Sequence, residues 1–94
     1  MDIMKEARLK IAMSNIICEI DRRCFDITHP MPDDTGVILD KLGAMARIIE
    51  HTSTAVLNMS TGEGKLEDVE NVLEYISKER IREYEEEKSK HARG

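Results

Sequence analysis

THPMPDD, residues 28–34, ends the first third of this 94-residue chain, and STGEG, residues 60–64, ends the second. Pro30 and Pro32 stop a helix, because proline has no amide hydrogen and drives the preceding residue out of the helical region. Gly62 suits the left-handed conformation in which many helices end. The three stretches between these breaks carry apolar residues at steps of three and four, which indicates helices.

The first stretch, from Asp2 to about Asp26, is predicted to be a helix that is apolar nearly all round. Asp2 is suited to a helix N-terminus. The main stripe and the residues that widen it are Leu9, Met13, Ile16, Ile20 and Cys24, then Ile11, Ala12, Ile17 and Cys18. The middle turns keep little polar surface apart from Ser14, Asn15 and Glu19. Such a helix is buried on more than one side, either by two other helices of the chain or by a second copy.

The second and third stretches each predict one further helix. The second helix runs from Val37 to about Met59 and is capped by Asp33, Asp34 or Thr35, and the polar run at residues 51–54 interrupts its apolar face near residue 52. Its predicted buried face is Ile38, Leu42, Met45, Ile49 and Val56. The third begins at about Lys65, and its predicted core face is Leu66, Val69, Val72, Leu73 and Ile76. Residues 78–94 are almost wholly charged, which indicates a projecting or fraying helix end.

These patterns predict one all-α domain over residues 1–94, made of three long antiparallel helices. Short connections place neighbouring helices antiparallel, which gives an up-down-up bundle. The alternative is a helical hairpin that self-association completes. Because a chain of this size has a thin core, we expect a homo-oligomer, with a dimer favoured.

Charge and hydropathy argue against several classes of function. The net charge is −5, and residues 24–64 hold two basic against six acidic residues, so nucleic-acid binding is not expected. No apolar run approaches the roughly 20 residues that span a bilayer, and the N-terminus lacks the pattern of a secretion signal. We therefore expect a cytoplasmic protein with no membrane association.

The two cysteines do not predict a metal site. We expect a protein that binds no cofactor and is not an enzyme. Cys18 and Cys24 are too far apart on one helix to form a disulfide. Their spacing with Asp26 and His29 matches no usual zinc site. We expect two reduced, buried cysteines that act as small apolar groups.

The segment STGEGK, residues 60–65, lacks the glycine spacing, the following Ser or Thr and the preceding strand of a phosphate loop. We expect a turn there, although its exposed amides could hold an anion. Acidic residues gather on the first two turns of the third helix, which raises the hypothesis of a metal-dependent nucleotide hydrolase that uses Glu67, Asp68, Glu70 and Glu74. That chemistry needs matching acids on the second helix, which offers only Asp40 and Glu50.

Two polar segments remain as candidate contact sites. The linker holds His29, Met31, Asp33 and Asp34 between rigid prolines, and loops on a rigid scaffold often carry recognition. On the second helix, His51 and Thr52 belong to a polar set that forms a layer in the bundle or lines a ligand site, for which the turn at Lys65 is a further candidate.

The leading hypothesis is a small acidic, non-enzymatic protein that acts by protein–protein interaction as a regulator or inhibitor, as a homo-oligomer with a protein partner. The alternative is a protein that binds or sequesters a small ligand, such as a nucleotide or another anion, at a subunit interface.

Overall fold

The computed structural model describes residues 2–93, with side chains up to Lys90. It contains three α-helices, α1 Ile3–Thr28, α2 Thr35–Ser60 and α3 Leu66–Arg93, and no strand within those residues. Each helix packs against both of the others. The predicted all-α bundle of three helices is confirmed.

Each helix begins at an acidic side chain that accepts a backbone hydrogen bond. The carboxylates of Asp2 and Asp34 accept amide hydrogen bonds from the first turns of α1 and α2, at 2.8 and 2.7 Å. At the start of α3, the Asp68 carboxylate accepts a hydrogen bond from the Lys65 amide at 2.9 Å. These bonds satisfy donors that the start of a helix leaves open. Asp34 is therefore the cap among the three residues that the sequence offered.

The turn between α2 and α3 depends on two glycines. Gly62 has a φ of 80°, the left-handed conformation predicted for the end of α2. Gly64 packs so closely on the last turn of α2 that a Cβ atom there would lie 2.8 Å from the Cβ of Asn58. The turn is tight because neither position carries a side chain.

The core consists of small and medium apolar side chains from all three helices. Its buried centre is Ala12, Ile16, Ile48, Ala55, Val69, Val72 and Ile76. Leu73 packs at its edge and Leu66 is buried at its end, so the predicted face of α3 is confirmed.

The buried face of α2 differs from the predicted one. It contains Ala44, Ile48, Thr52 and Ala55. By contrast, Leu42, Ile49 and Val56 are 40 %, 41 % and 37 % exposed. Thr52 belongs to the polar run predicted to interrupt the apolar face, and it enters the core with its donor satisfied, because its hydroxyl donates a hydrogen bond to the Ile48 carbonyl at 2.8 Å.

The other two helices bury only part of the apolar surface predicted on α1. Ile11 and Ile17 are 62 % and 58 % exposed. The two cysteines are free, but both are exposed rather than buried. Two helices cover only part of the circumference of a third, so the rest of the predicted stripe faces outward. Its burial by a second copy stays a prediction.

The C-terminal part of α3 keeps contact with α1 beyond the apolar core. Arg80 and Glu83 form ion pairs with α1, whereas Ile81 and Tyr84 are 59 % and 68 % exposed. Of the predicted projecting end, residue 94 and the side chains of residues 91–93 lie outside the described residues.

Candidate functional site

A second apolar stripe lies on the outer side of α2. It consists of Leu39, Leu42, Ala46, Ile49, Ser53, Val56 and Ser60, at alternating steps of three and four residues. Residues with this spacing line one side of a helix. Its large side chains are exposed by between 37 % at Val56 and 61 % at Leu39. None of the seven residues is charged.

α1 extends this apolar surface. The Cys24 Sγ lies 3.4 Å from the Met45 Sδ, which marks where α1 meets the stripe side of α2. Ile17 lies seven residues before Cys24, on the same side of α1, and is exposed. We call this surface the α1–α2 face and define it as Ile17, Leu39, Leu42, Ala46, Ile49, Ser53, Val56 and Leu57.

The α1–α2 face is large for a protein of this size. The exposed parts of its six large apolar side chains add up to about three whole side chains, or roughly 500 Å² of apolar surface. The largest apolar patch on a monomer is typically about 300–600 Å² and often has a function. This face therefore stands at the upper end of what a monomer exposes.

A buried carboxylate between α1 and α3 organises a cluster of arginines. Glu19 is 3 % exposed, and it accepts hydrogen bonds from Arg22 and Arg23 at 3.0 and 2.9 Å and from Arg80 of α3. Burial raises the pKa of Glu19, but the hydrogen bonds from Arg80, Arg22 and Arg23 outweigh it and hold the pKa at about 2. Glu19 is therefore ionised at every physiological pH.

Further ion pairs join α1 to α3. Arg23, 8 % exposed, donates hydrogen bonds to Glu83 at 2.7 and 3.0 Å and lowers the pKa of that carboxyl. Arg8 pairs with Glu70 closer to the N-terminus of α1. These pairs are not predicted from the sequence, in which Glu19 belongs to the polar surface of the first helix. The one local signal was the basic pair that follows Glu19 at three and four residues, which is one helical turn.

Of the candidate contact residues in the linker, one has a structural role and the others are exposed. Asp34 caps α2. His29 stacks on Phe25, with 4.2 Å between ring centroids and 5° between ring planes. Met31 is 60 % exposed, and Asp33 is exposed as well. His29, Met31 and Asp33 therefore remain accessible to a partner.

The candidates for a ligand site do not come together. His51 lies in an open groove of about 390 Å³ between α2 and α3, with its ring centroid 4.3 Å from that of Tyr75. Thr52 faces the core and donates its hydroxyl to the Ile48 carbonyl. Lys65 lines a different groove. The structure therefore supports no single site that combines the three.

Metal-dependent chemistry also finds no support among the described residues. No group of three His, Cys, Asp or Glu side chains in that part of the chain is placed to hold a metal ion. Glu70 pairs with Arg8, and the Glu74 carboxylate lies 3.4 Å from the Lys78 ammonium. Two of the four acids of the hydrolase hypothesis, Glu70 and Glu74, are thus paired with cations.

None of the helices within residues 2–93 is both long and apolar enough to cross a membrane. Comparison of this chain with models of protein families, with curated proteins and with solved structures found no match. Within the described residues, the α1–α2 face is an exposed apolar surface outside the core.

Proposed function

We propose that this chain is a small cytoplasmic, non-enzymatic interaction protein, which forms a homodimer through the α1–α2 face and regulates or inhibits a second macromolecule. The observation that carries the proposal is the uncharged apolar stripe on the outside of α2, continued by Ile17 of α1. The largest apolar patch of a protein often has a function, and contact with another protein is one such function.

The size of the face suits a second copy. A stable interface buries about 800 Å² on each partner, and about 65 % of a homodimer interface is apolar. The apolar area that such an interface buries on each partner is therefore close to the roughly 500 Å² of apolar side chain that the α1–α2 face exposes. The stripe also has the heptad spacing by which helices of two chains pack together.

The other surfaces fit the rest of the proposal. A dimer would double the net charge of −5 and so favour a partner with a basic surface. Met31 and Asp33 of the linker stay exposed and are available for that partner. The two free, exposed cysteines suit a reducing compartment such as the cytoplasm.

Ile49→Asp tests the self-association. Ile49 is 41 % exposed, so the new carboxylate reaches solvent in a single chain but is buried in the dimer. We expect the wild type to have twice the chain mass in light scattering after size exclusion, and the variant to have the mass of one chain. Circular dichroism will show whether the variant keeps its helices.

Ile81→Asp is the matched control, because Ile81 is 59 % exposed and lies on α3 away from the face. This variant should remain a dimer. A wild type that stays monomeric at high micromolar concentration contradicts the proposal, as does an Ile49→Asp variant that remains dimeric. Native mass spectrometry of the protein taken from its own host then identifies the second macromolecule.

A further inference from the structure

The outer stripe of α2 alternates between large and small side chains. Every seventh residue in one series is large, namely Leu42, Ile49 and Val56. In the other series, Ala46, Ser53 and Ser60 are small, and Leu39 is the exception at the start. Both series are exposed. The stripe therefore consists of knobs and gaps in a regular order.

This order discriminates between the two ways in which α2 could pair with itself. Parallel helices place each heptad series opposite itself, so large residues would meet large ones and small residues would leave gaps. Antiparallel helices place one series opposite the other, so each large residue meets a small one. Packing without voids favours the antiparallel pair.

We propose that two copies of this chain pair through antiparallel α2 helices, with the two-fold axis at the level between Arg47 and Ile48. Ile49 of each copy then packs on Ala46 of the other, and Leu42 packs on Ser53. This inference rests on the proposed homodimer and adds its orientation and alignment.

The alignment follows from the length of α2 as well as from its packing. With the axis at this level, Thr35 lies beside Ser60 of the second copy, so the two helices overlap from end to end. Leu39, the one large residue in the small series, then meets Val56 near the end of the overlap, where helices can diverge. The antiparallel arrangement also places the positive end of each helix dipole beside the negative end of the other.

No pair of like charges opposes this arrangement within the stripe. Glu50 is the acidic residue that follows Ile49, and the alignment places it at the level of Met45 of the second copy rather than beside the other Glu50. Charge repulsion within the stripe therefore does not oppose the proposed alignment.

Directed disulfide formation tests the alignment. In a background with Cys18→Ser and Cys24→Ser, protein carrying Ala46→Cys is mixed with protein carrying Ile49→Cys, left to exchange subunits and oxidised. We expect a covalent heterodimer as the main product on a non-reducing gel, because only opposed positions come within disulfide reach. Leu42→Cys protein mixed with Ser53→Cys protein should also give a covalent heterodimer, which is an independent test of the alignment.

Ala46→Cys mixed with Thr54→Cys is the control, since Thr54 is exposed on α2 but lines the groove towards α3. It should give several-fold less covalent dimer. A parallel dimer would instead cross-link Leu42→Cys protein with itself, which overturns the inference while the dimer mass still supports the proposed function. If the mass is that of one chain before oxidation, the proposed function fails together with the inference.

Discussion

Glu19→Gln removes one negative charge from among three guanidinium groups while it keeps the shape of the side chain. Glu19 is 3 % exposed, and its pKa is about 2 in the fold against an ordinary value of 4.5. At about 1.4 kcal/mol for each tenfold change in proton affinity, this difference stabilises the fold by about 3 kcal/mol at neutral pH. We expect the substitution to lower the free energy of unfolding by that amount, since Arg23 would stay buried with one partner fewer.

The pH dependence of this contribution has a definite sign. Because folding lowers the pKa of Glu19, its stabilisation is complete above pH 4.5 and is lost as the pH falls towards 2. The wild type should lose stability steeply over this range. The Gln variant should lose less, and its remaining loss comes from Glu70 and Glu83, whose pKa values are lowered as well.

Urea unfolding followed by circular dichroism measures both effects, at pH 7 and at several values down to about pH 2.5. Protein concentration is held constant, because self-association adds to the apparent stability. Glu74→Gln is the control, since the Glu74 side chain is 65 % exposed and its pair with Lys78 is worth less than about 1 kcal/mol. If Glu19→Gln costs no more than the control, or follows the wild-type pH course, the reasoning about the buried cluster is refuted.

Three further substitutions test the helix ends with the same unfolding assay. Asp34→Ala should lower the free energy of unfolding by about 1 kcal/mol, because the cap of α2 is lost. An unchanged free energy of unfolding would show that solvent replaces the carboxylate. Gly62→Ala should also cost about 1 kcal/mol, because its φ of 80° strains a side chain although space is free. Gly64→Ala should cost more than Gly62→Ala, since its Cβ would meet Asn58; the reverse order would contradict the close packing of this turn.

The helix boundaries could be predicted because their causes are local. Pro30, Pro32 and Gly62 act through their own backbone, and Asp34 acts on amides two and three residues away. The structure places the ends of α1, α2 and α3 within about two residues of the predicted ones, which is the usual uncertainty of a helix end. Short connections then leave little choice of topology.

The buried face of α2 could not be predicted because the helix has two apolar stripes. Periodicity reveals stripes but not which of them meets the same chain. The prediction chose Leu42, Ile49 and Val56, which are larger and more apolar than their competitors. The core instead contains Ala44 and Thr52, whose small volume lets the neighbouring helices approach closely. The candidate interaction face is therefore the stripe that was predicted to be the core.

The charged cluster was missed for a different reason. An acidic residue near the middle of a helix normally faces solvent, and Glu19 was interpreted in that way. Its burial depends on Arg80, which is remote in sequence, and on Arg23, whose second partner Glu83 is equally remote. No local pattern brings these residues together.

The ion pairs between α1 and α3 join residues that are 62, 61 and 60 positions apart in the sequence. If α3 slid along α1 by one turn, about 5.4 Å, all three pairs would separate at once. The buried core beneath them consists of Ala, Val and Ile. The three charged pairs therefore specify the height of α3 beside α1 in addition to the apolar packing.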